Sequence, residues 1–360
     1  RMNQDTIKAI ADTVRCLTMD AVQKANSGHP GMPMGAAELG ALLYGSVMNY
    51  NPVEPQWLNR DRFVLSAGHG SMFLYSLLHL SGFGVSLDAI KNFRQLGSPC
   101  AGHPEYGLAP GIETTTGPLG QGFATAVGMA IAETMLAARF NTREHSIFDY
   151  FTYALAGDGC LQEGVASEAA SLAGHLQLKK LIVFYDSNRI TIDGGTELSF
   201  TEDVAGRFAA YGWNVFHSNM YDTDDIERHI EIAKKESERP TLIILKSVIG
   251  KGAPTLQGSH KTHGAPLGED EIRKAKEAMG IPANEQFYRH PDALAFFEGR
   301  KKELAAKHAT WLIKFSDWQQ ANPEKAAELE AALSGTPFRE PTWPIFAPGE
   351  SIATPNASGT

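Results

Sequence analysis

The sequence predicts an α/β protein with a doubly wound, mainly parallel sheet and helices on both faces. Short apolar stretches that suit buried strands alternate along the chain with segments whose apolar residues recur at helical spacing. Such alternation is typical of parallel sheets covered by helices. The length of 360 residues allows one large α/β domain with additions, or two domains.

The first third of the chain combines helices with turns rich in glycine and histidine. Residues 7–22 place apolar side chains at steps of three and four, which predicts one buried helix face. Helical spacing returns over 36–47 and 72–80, with a short apolar stretch at 62–65 that predicts a strand. An alanine-rich helix is predicted over 123–138.

The middle of the chain predicts a βαβ unit. It consists of a strand at 150–156, a helix at 161–176 and a strand at 181–185. The apolar side of this helix is expected to comprise Leu161, Val165, Ala169, Leu172 and Leu176. Two strands joined by one helix should be parallel, with a right-handed crossover.

The theme repeats once before the composition changes. A strand at 212–216, a helix at 223–237 and a strand at 241–246 precede a glycine-rich stretch and a helical, charged segment. From residue 337 onward, prolines replace apolar periodicity, which is typical of a linker. We therefore predict a domain over residues 1–320 that ends in helices, followed by an interdomain linker over 321–360.

Charge and cysteine content exclude several classes of protein. The net charge of −9 lacks the basic excess that nucleic-acid binding requires. No apolar run is expected to reach the roughly 20 residues of a membrane helix, and the charged first twenty residues do not resemble a secretory signal. Cys16, Cys100 and Cys160 are odd in number and far apart. They predict buried, reduced thiols in a cytoplasmic protein.

Candidate metal ligands follow two predicted strands. Gly157-Asp158-Gly159 follows the first strand of the βαβ unit, and Asn188 follows the second. A dinucleotide fingerprint fails here because Gln162 stands where the third glycine should be. A carboxylate, an amide oxygen and a nearby main-chain carbonyl suit Mg²⁺ or Ca²⁺, which would bridge the protein to a diphosphate. The alternative is an aspartate that only caps a helix.

Five histidines lie in loops bounded by glycine or proline: His29, His69, His103, His260 and His263. One hypothesis makes them zinc ligands, although the sequence has no H-E-x-x-H pair. The other makes them neutral donors and acceptors for a hydroxylated substrate, and proton carriers near pH 7.

Ordered motifs along nearly the whole chain resemble the diphosphate-binding, N-terminal part of the transketolase family of thiamine diphosphate enzymes. The matching stretches are 27–31, 61–66, 68–71, 102–105, 114–122, 157–164, 188–192 and 263–268. The resemblance implies a thiamine diphosphate-binding fold of the pyrophosphate type. It also implies that Asp158, Asn188 and the carbonyl of Ile190 hold Mg²⁺ or Ca²⁺, and that Gly159 lets the main chain approach the diphosphate.

The resemblance assigns further residues to the cofactor and the substrate. His69 and His260 would contact the diphosphate or the thiazolium, and Gly117 and Leu119 would contact the aminopyrimidine through the main chain. Glu163 would link the two active sites of a dimer. The substrate hydroxyls and proton transfers would involve the catalytic histidines, namely His29, His103 and His260 together with His69.

The resemblance also implies a reaction and partners. A two-carbon ketol unit would pass from a ketose phosphate to an aldose phosphate, as in the pentose phosphate pathway. The pyrimidine-binding and C-terminal domains of the family are not recognised in these 360 residues. We therefore expect negligible activity from the chain alone. When complete, the enzyme would be a homodimer. In a split enzyme, this chain would instead act with a separate pyrimidine-domain chain. The alternative is a non-catalytic module that binds the cofactor or docks a partner.

Overall fold

Five parallel strands form the central sheet of the computed structural model, which describes residues 2–335 and 344–358. The strands of these residues are β1 (Arg62–Leu65), β2 (Thr152–Gly157), β3 (Leu181–Ser187), β4 (Ile190–Thr191), β5 (Gly194–Gly195), β6 (Asn214–Asn219) and β7 (Thr241–Lys246). The central sheet has the order β1-β2-β3-β7-β6. The short strands β4 and β5 form a separate antiparallel pair.

Helices occupy most of the chain between the strands. They are α1 (Gln4–Ala25), α2 (Gly31–Gly35), α3 (Ala37–Leu42), α4 (Ser71–Ser81), α5 (Leu87–Lys91), α6 (Gln121–Phe140), α7 (Asp158–Gln162), α8 (Gly164–His175), α9 (Val204–Ala210), α10 (Thr223–Lys234), α11 (Glu269–Met279), α12 (Pro291–Ala321), α13 (Pro323–Ser334) and α14 (Thr354–Ser358). A π-helical turn, Leu43–Val47, follows α3. The α/β class and the parallel sheet are thus confirmed.

The strand order explains why the sheet is covered on both sides. The chain moves in one direction from β1 through β2 to β3, then continues to the edge strand β6 and returns to β7. Because parallel crossovers are right-handed, reversing the direction moves the connecting helix to the opposite face. Helix α10, which joins β6 to β7, therefore lies on the face opposite α8, which joins β2 to β3.

The central strands are apolar because both of their faces are buried. Residues 181–185 of β3 and 242–245 of β7 all lie in the main hydrophobic core. Strands covered on both faces have continuous apolar runs rather than alternating ones. Polar residues occur at the carboxyl ends of these strands, where β3 ends in Asp186 and Ser187.

The helix predicted over 161–176 differs from the structure in two respects. It is broken at Glu163, whose extended backbone separates α7 from α8. Its predicted apolar side is only partly right, since Leu161 is buried but Leu172 and Leu176 are 45% and 43% exposed. The buried stripe of α8 consists of the alanines Ala166, Ala170 and Ala173. Helix α6 packs against α8, and small side chains allow the two helices to approach closely.

By length and composition alone, α6 could cross a membrane, contrary to the expectation that no apolar run reaches that length. The helix nevertheless packs against β1 and β2. Its Glu133 is buried and forms an ion pair of 2.6 Å with Lys180. These are the contacts of a helix that covers a sheet.

The chain divides into two compact units, Arg1–Trp311 and Leu312–Thr360. In the second unit, α13 begins with Pro323 in its first turn and ends at Gly335, which has the left-handed conformation common after helices. The start of the predicted linker is therefore helical. Residues 336–343, with Pro337 and Pro341 of that prediction, lie outside the described residues, and the domain boundary at 320 stays a prediction.

The three cysteines are buried and free, as predicted. Burial raises the pKa of each thiol, and that of Cys16 to about 12. These thiols are therefore protonated at neutral pH and unreactive.

A buried ion pair joins α1 to α11. The ammonium of Lys276 lies 2.8 Å from Oδ1 of Asp20 and donates a second bond of 2.7 Å to the carbonyl of Glu285. The main-chain amide of Phe287 also donates to Asp20, at 2.6 Å. Both side chains are almost fully buried.

Asp20→Ala is predicted to lower the free energy of unfolding by about 3–5 kcal/mol, because it leaves the Lys276 ammonium buried without its partner. Urea unfolding measures this difference. The matched control is Asp270→Ala, since Asp270 forms its ion pairs in full contact with water. Equal urea midpoints for Asp20→Ala and the control would show that the buried pair does not stabilise this fold.

Candidate active site

A cavity of about 560 Å³ lies at the carboxyl ends of β2 and β3. Its lining includes most of the predicted site residues: His29, His69, Gly117, Leu119, Asp158, Gly159, Glu163, Asn188 and Ile190. They come from five separate stretches of the chain. The fold thus brings together residues that are up to about 160 positions apart in the sequence. A second cavity of about 720 Å³ also borders Asp158, but it contains none of the five loop histidines. We therefore assign the site to the smaller cavity.

The register of the sheet brings the two candidate metal ligands together. Gly157 at the end of β2 pairs with Asp186 of β3, so Asp158 and Asn188 follow neighbouring strand ends. The hydroxyl of Tyr185 donates to Oδ1 of Asp158 at 2.5 Å, and the amide of Arg189 approaches Oδ2 at 3.2 Å. Burial raises the pKa of Asp158 to about 6, although these hydrogen bonds oppose the shift.

Asp186 orients Asn188, a role that the sequence analysis missed. The side-chain amide of Asn188 donates to Oδ2 of Asp186 at 2.9 Å. This leaves Oδ1 of Asn188 as the acceptor, and the amide of Ile190 donates to it at 2.9 Å. Asp186 is itself buried and accepts a bond from Ser247. Its position two residues before Asn188 was the available signal, because short polar side chains often bond two residues along a turn.

The oxygen atoms at these strand ends fit a divalent cation. Asp158 is buried, and among the described residues no ammonium or guanidinium group pairs with it. A buried carboxylate without a cationic partner is costly, and a bound cation removes that cost. Its partners in such a site would be the amide oxygen of Asn188 and the carbonyl of Ile190, both hard ligands suited to Mg²⁺ or Ca²⁺.

The zinc alternative finds no support in the same region. No group of three His, Cys, Asp or Glu side chains in residues 2–335 and 344–358 is placed to hold a metal ion. The strand-end site is a different kind of site, because only Asp158 among its three donors is one of these four residue types. The other two donors are an amide oxygen and a main-chain carbonyl oxygen.

Gly159 lies directly beside Leu119 in the lining of the cavity. A Cβ added at Gly159 would lie 2.8 Å from Cδ1 of Leu119, so a larger residue would push against this wall. Gly117, on the same wall as Leu119, has a positive φ of 152° that side chains rarely adopt. A Cβ at Gly117 would also lie 3.2 Å from the His103 ring. Both glycines thus stand where a side chain would be crowded, and their predicted contacts with the cofactor stay predictions.

Three histidines, His29, His69 and His263, line one side of the cavity, and His103 lies next to His29 without lining it. The ring centroid of His69 lies 5.0 Å from that of His263, in a stacked arrangement, and 5.2 Å from that of His29. His29 and His263 are 5.5 Å apart, while His103 lies 6.2 Å from His29. We call these four residues the histidine cluster.

The histidine cluster is neutral at pH 7. Burial, and after it the neighbouring histidines, lower the pKa of His69 to about 3 and that of His29 to about 4. Burial also lowers the pKa values of His103 and His263. A neutral imidazole can donate one hydrogen bond and accept another.

The prediction for His260 is not matched by its position. His260 is exposed at the start of a 3₁₀ turn, His260–Thr262, and does not line the cavity. Thr262 is fully buried and anchors the end of this turn, and His263 follows it into the histidine cluster. His263 begins a histidine–glycine pair like that of His69, which was the signal that could have favoured it.

Glu163 lies on the rim of the cavity, at the break between α7 and α8. The side chain is exposed, and its Cβ lies 2.6 Å from where a Cβ at Gly120 would be. Its role in linking the two active sites of a dimer stays a prediction.

The chain is similar to known proteins in both sequence and structure. Residues 6–337 match the family described as the transketolase, thiamine diphosphate binding domain. A transketolase of Treponema pallidum is 55% identical over 99% of this chain and 55% of the relative. For a transketolase of Geobacillus stearothermophilus, the identity is 52% over 96% of this chain and 52% of the relative.

Solved structures give the same result. A transketolase from Leishmania mexicana superposes with a TM-score of 0.90 at 44% identity, covering 93% of this chain and 50% of that one. A Pichia stipitis transketolase in complex with sedoheptulose 7-phosphate gives 0.91 at 43% identity, covering 96% and 51%. The chain spans about half the length of the curated relatives it matches. With these matches over nearly its whole length, the chain belongs to the transketolase family.

Proposed function

We propose that this chain binds the diphosphate of thiamine diphosphate together with Mg²⁺ or Ca²⁺, and takes part in transfer of a two-carbon ketol unit from a ketose phosphate to an aldose phosphate. One observation carries the proposal. Oxygen donors suited to a divalent cation and three neutral histidines of the cluster, His29, His69 and His263, line the same cavity. The family match and the sugar phosphate named for the Pichia stipitis structure support this choice of cofactor and substrate.

The metal part of the site would consist of Asp158, Asn188 and the carbonyl of Ile190. Asp186 holds the amide nitrogen of Asn188, and the side-chain oxygen, which accepts one bond from the Ile190 amide, has a second lone pair that could ligate the cation. Gly159 lets the main chain approach a diphosphate oxygen without a side chain in the way. Together these groups would fix the position of the diphosphate through the cation.

The histidine cluster would bind and orient the sugar hydroxyls. Thiamine diphosphate, when bound, supplies the carbanion and the electron sink for this class of reaction. A thiazolium ring is positively charged, so protonated histidines beside it would repel it. The lowered pKa values of His29 and His69 keep these rings neutral, able to donate to one oxygen and to accept a proton at the other nitrogen. In this arrangement His263 takes the place that was predicted for His260.

An exposed apolar surface supports the proposed homodimer. Met135 of α6 is 66% exposed, and Leu172 and Leu176 of the adjoining α8 are also exposed. Glu163 precedes α8, on the same part of the chain. We propose that this surface is covered in the complete dimer. Negligible activity of the 360 residues alone stays a prediction, as does a cytoplasmic location.

Asp158→Asn is predicted to weaken metal-dependent binding of thiamine diphosphate by about 100-fold or more. Loss of a residue that merely orients a metal ligand costs about 10–100-fold, and Asp158 is proposed to be a ligand itself. Isothermal titration calorimetry with and without Mg²⁺ measures the effect. The control, Asp224→Asn, removes the same charge from an exposed position on α10. Equal affinities for both variants would exclude Asp158 as a ligand.

His69→Gln is predicted to make the folded chain less sensitive to acid. Between pH 6.5 and pH 5 the unfolded chain binds a proton at His69 that the folded chain does not, so stability falls as the pH falls. At pH 5 His69 therefore lowers the free energy of unfolding by about 2 kcal/mol, because each of the roughly 1.5 pH units below 6.5 costs about 1.4 kcal/mol.

Urea unfolding at pH 7.5 and pH 5 measures the effect. The loss of stability between the two pH values should be about 2 kcal/mol smaller in His69→Gln than in the parent chain. His175→Gln, at the exposed end of α8, should leave that loss unchanged. An identical loss in His69→Gln and the parent would mean that His69 is protonated in the folded chain, contrary to the proposal.

A further inference from the structure

Arg94 lies beside the histidine cluster, in the loop that follows α5, and has no role in the proposed function so far. Its φ of 62° places it in the left-handed region, which few residues other than glycine adopt. The main-chain amide of Arg94 donates to the carbonyl of Cys100 at 2.9 Å, which secures this conformation. Strained backbone of this kind persists where the surroundings hold it in place, and it is often found at functional sites.

The guanidinium of Arg94 connects two loops of the site. Nη1 donates to Oγ of Ser27 at 3.0 Å, and Nη2 lies 3.3 Å from Nδ1 of His29. A Cβ added at Gly102 would lie 3.1 Å from Cζ of Arg94, so the guanidinium also packs on the chain next to His103. Arg94 thus touches the loops that carry His29 and His103.

The contact with Nδ1 decides which nitrogen of His29 carries the hydrogen. A guanidinium has donors only, so Nδ1 must accept the bond and the hydrogen of the neutral ring must be on Nε2. We propose that Arg94 is a positioning residue that holds His29 in the Nε2–H tautomer and presents a hydrogen-bond donor on the side of the ring away from Arg94. This inference rests on the proposed function, in which His29 binds a sugar oxygen.

The charge of Arg94 acts in the same direction. The groups that face His29 are His69, His103 and His263, which are neutral, and the guanidinium of Arg94. A cation beside the ring opposes its protonation, and Arg94 contributes to the lowered pKa values of His29 and His103. The arginine therefore selects one neutral form of His29 among the three possible protonation states.

Nitrogen NMR of the full 360-residue chain labelled with ¹⁵N in its histidine rings tests this assignment, with His29 identified by the signals lost in His29→Gln. The parent chain at pH 7 should show an unprotonated Nδ1 and a protonated Nε2 for His29. Arg94→Met removes the donors but keeps a side chain of similar length and the same backbone constraint. In this variant the two nitrogen shifts of His29 should move toward each other, as both tautomers become populated.

Arg143→Met is the matched control, since it removes an exposed arginine from the loop after α6. It should leave the His29 shifts unchanged. A protonated Nδ1 in the parent chain would overturn the assignment, whether or not Arg94→Met folds. Unchanged His29 shifts in Arg94→Met would overturn it as well, as would shift changes of equal size at the distant His175.

This measurement needs neither cofactor nor substrate. A failure of the chain to bind thiamine diphosphate would contradict the proposed function and leave the tautomer as measured. A wrong tautomer would remove the role of Arg94 and leave the metal and diphosphate site untouched.

Discussion

The parallel register between β2 and β3 is the constraint on which the site depends. It places Gly157 opposite Asp186, so the residues that follow the two strands meet at one edge of the sheet. The apolar cores of both strands fix this register, because both of their faces are buried. The carboxylate of Asp158 and the amide oxygen of Asn188 can therefore lie close together although they are 30 residues apart in the sequence.

Two walls of the cavity differ in their charge. One wall contains Asp158, a buried carboxylate that pairs with no ammonium or guanidinium group of the described residues, which favours a bound cation. The other contains histidines kept neutral by burial and by one another. A cation-bound diphosphate and a positively charged ring are compatible with these two walls. Arg94, outside the cavity, influences the ring of His29 through Nδ1 and leaves the other nitrogen free for a ligand.

Much of the architecture could be predicted because it depends on periodicity. Apolar runs gave β3 and β7 to within two residues, and strand-end polar residues identified Asp158 and Asn188. Contacts between distant segments could not be predicted. His260 and His263 stand three residues apart, and the tertiary structure leaves the first exposed and stacks the second on His69. The buried side of α8 was missed because it consists of alanines, whereas Leu172 and Leu176 are exposed. No local pattern marks Arg94, since its partners are 65 and 67 residues away.

A crystal structure of the chain grown with thiamine diphosphate and Mn²⁺ tests the central claim most directly, because Mn²⁺ scatters anomalously and takes oxygen ligands like those of Mg²⁺. The account predicts one anomalous peak between Asp158, Asn188 and the carbonyl of Ile190, in contact with the diphosphate. A diphosphate bound in this cavity with no metal at the two strand ends, or a metal bound elsewhere, would contradict it.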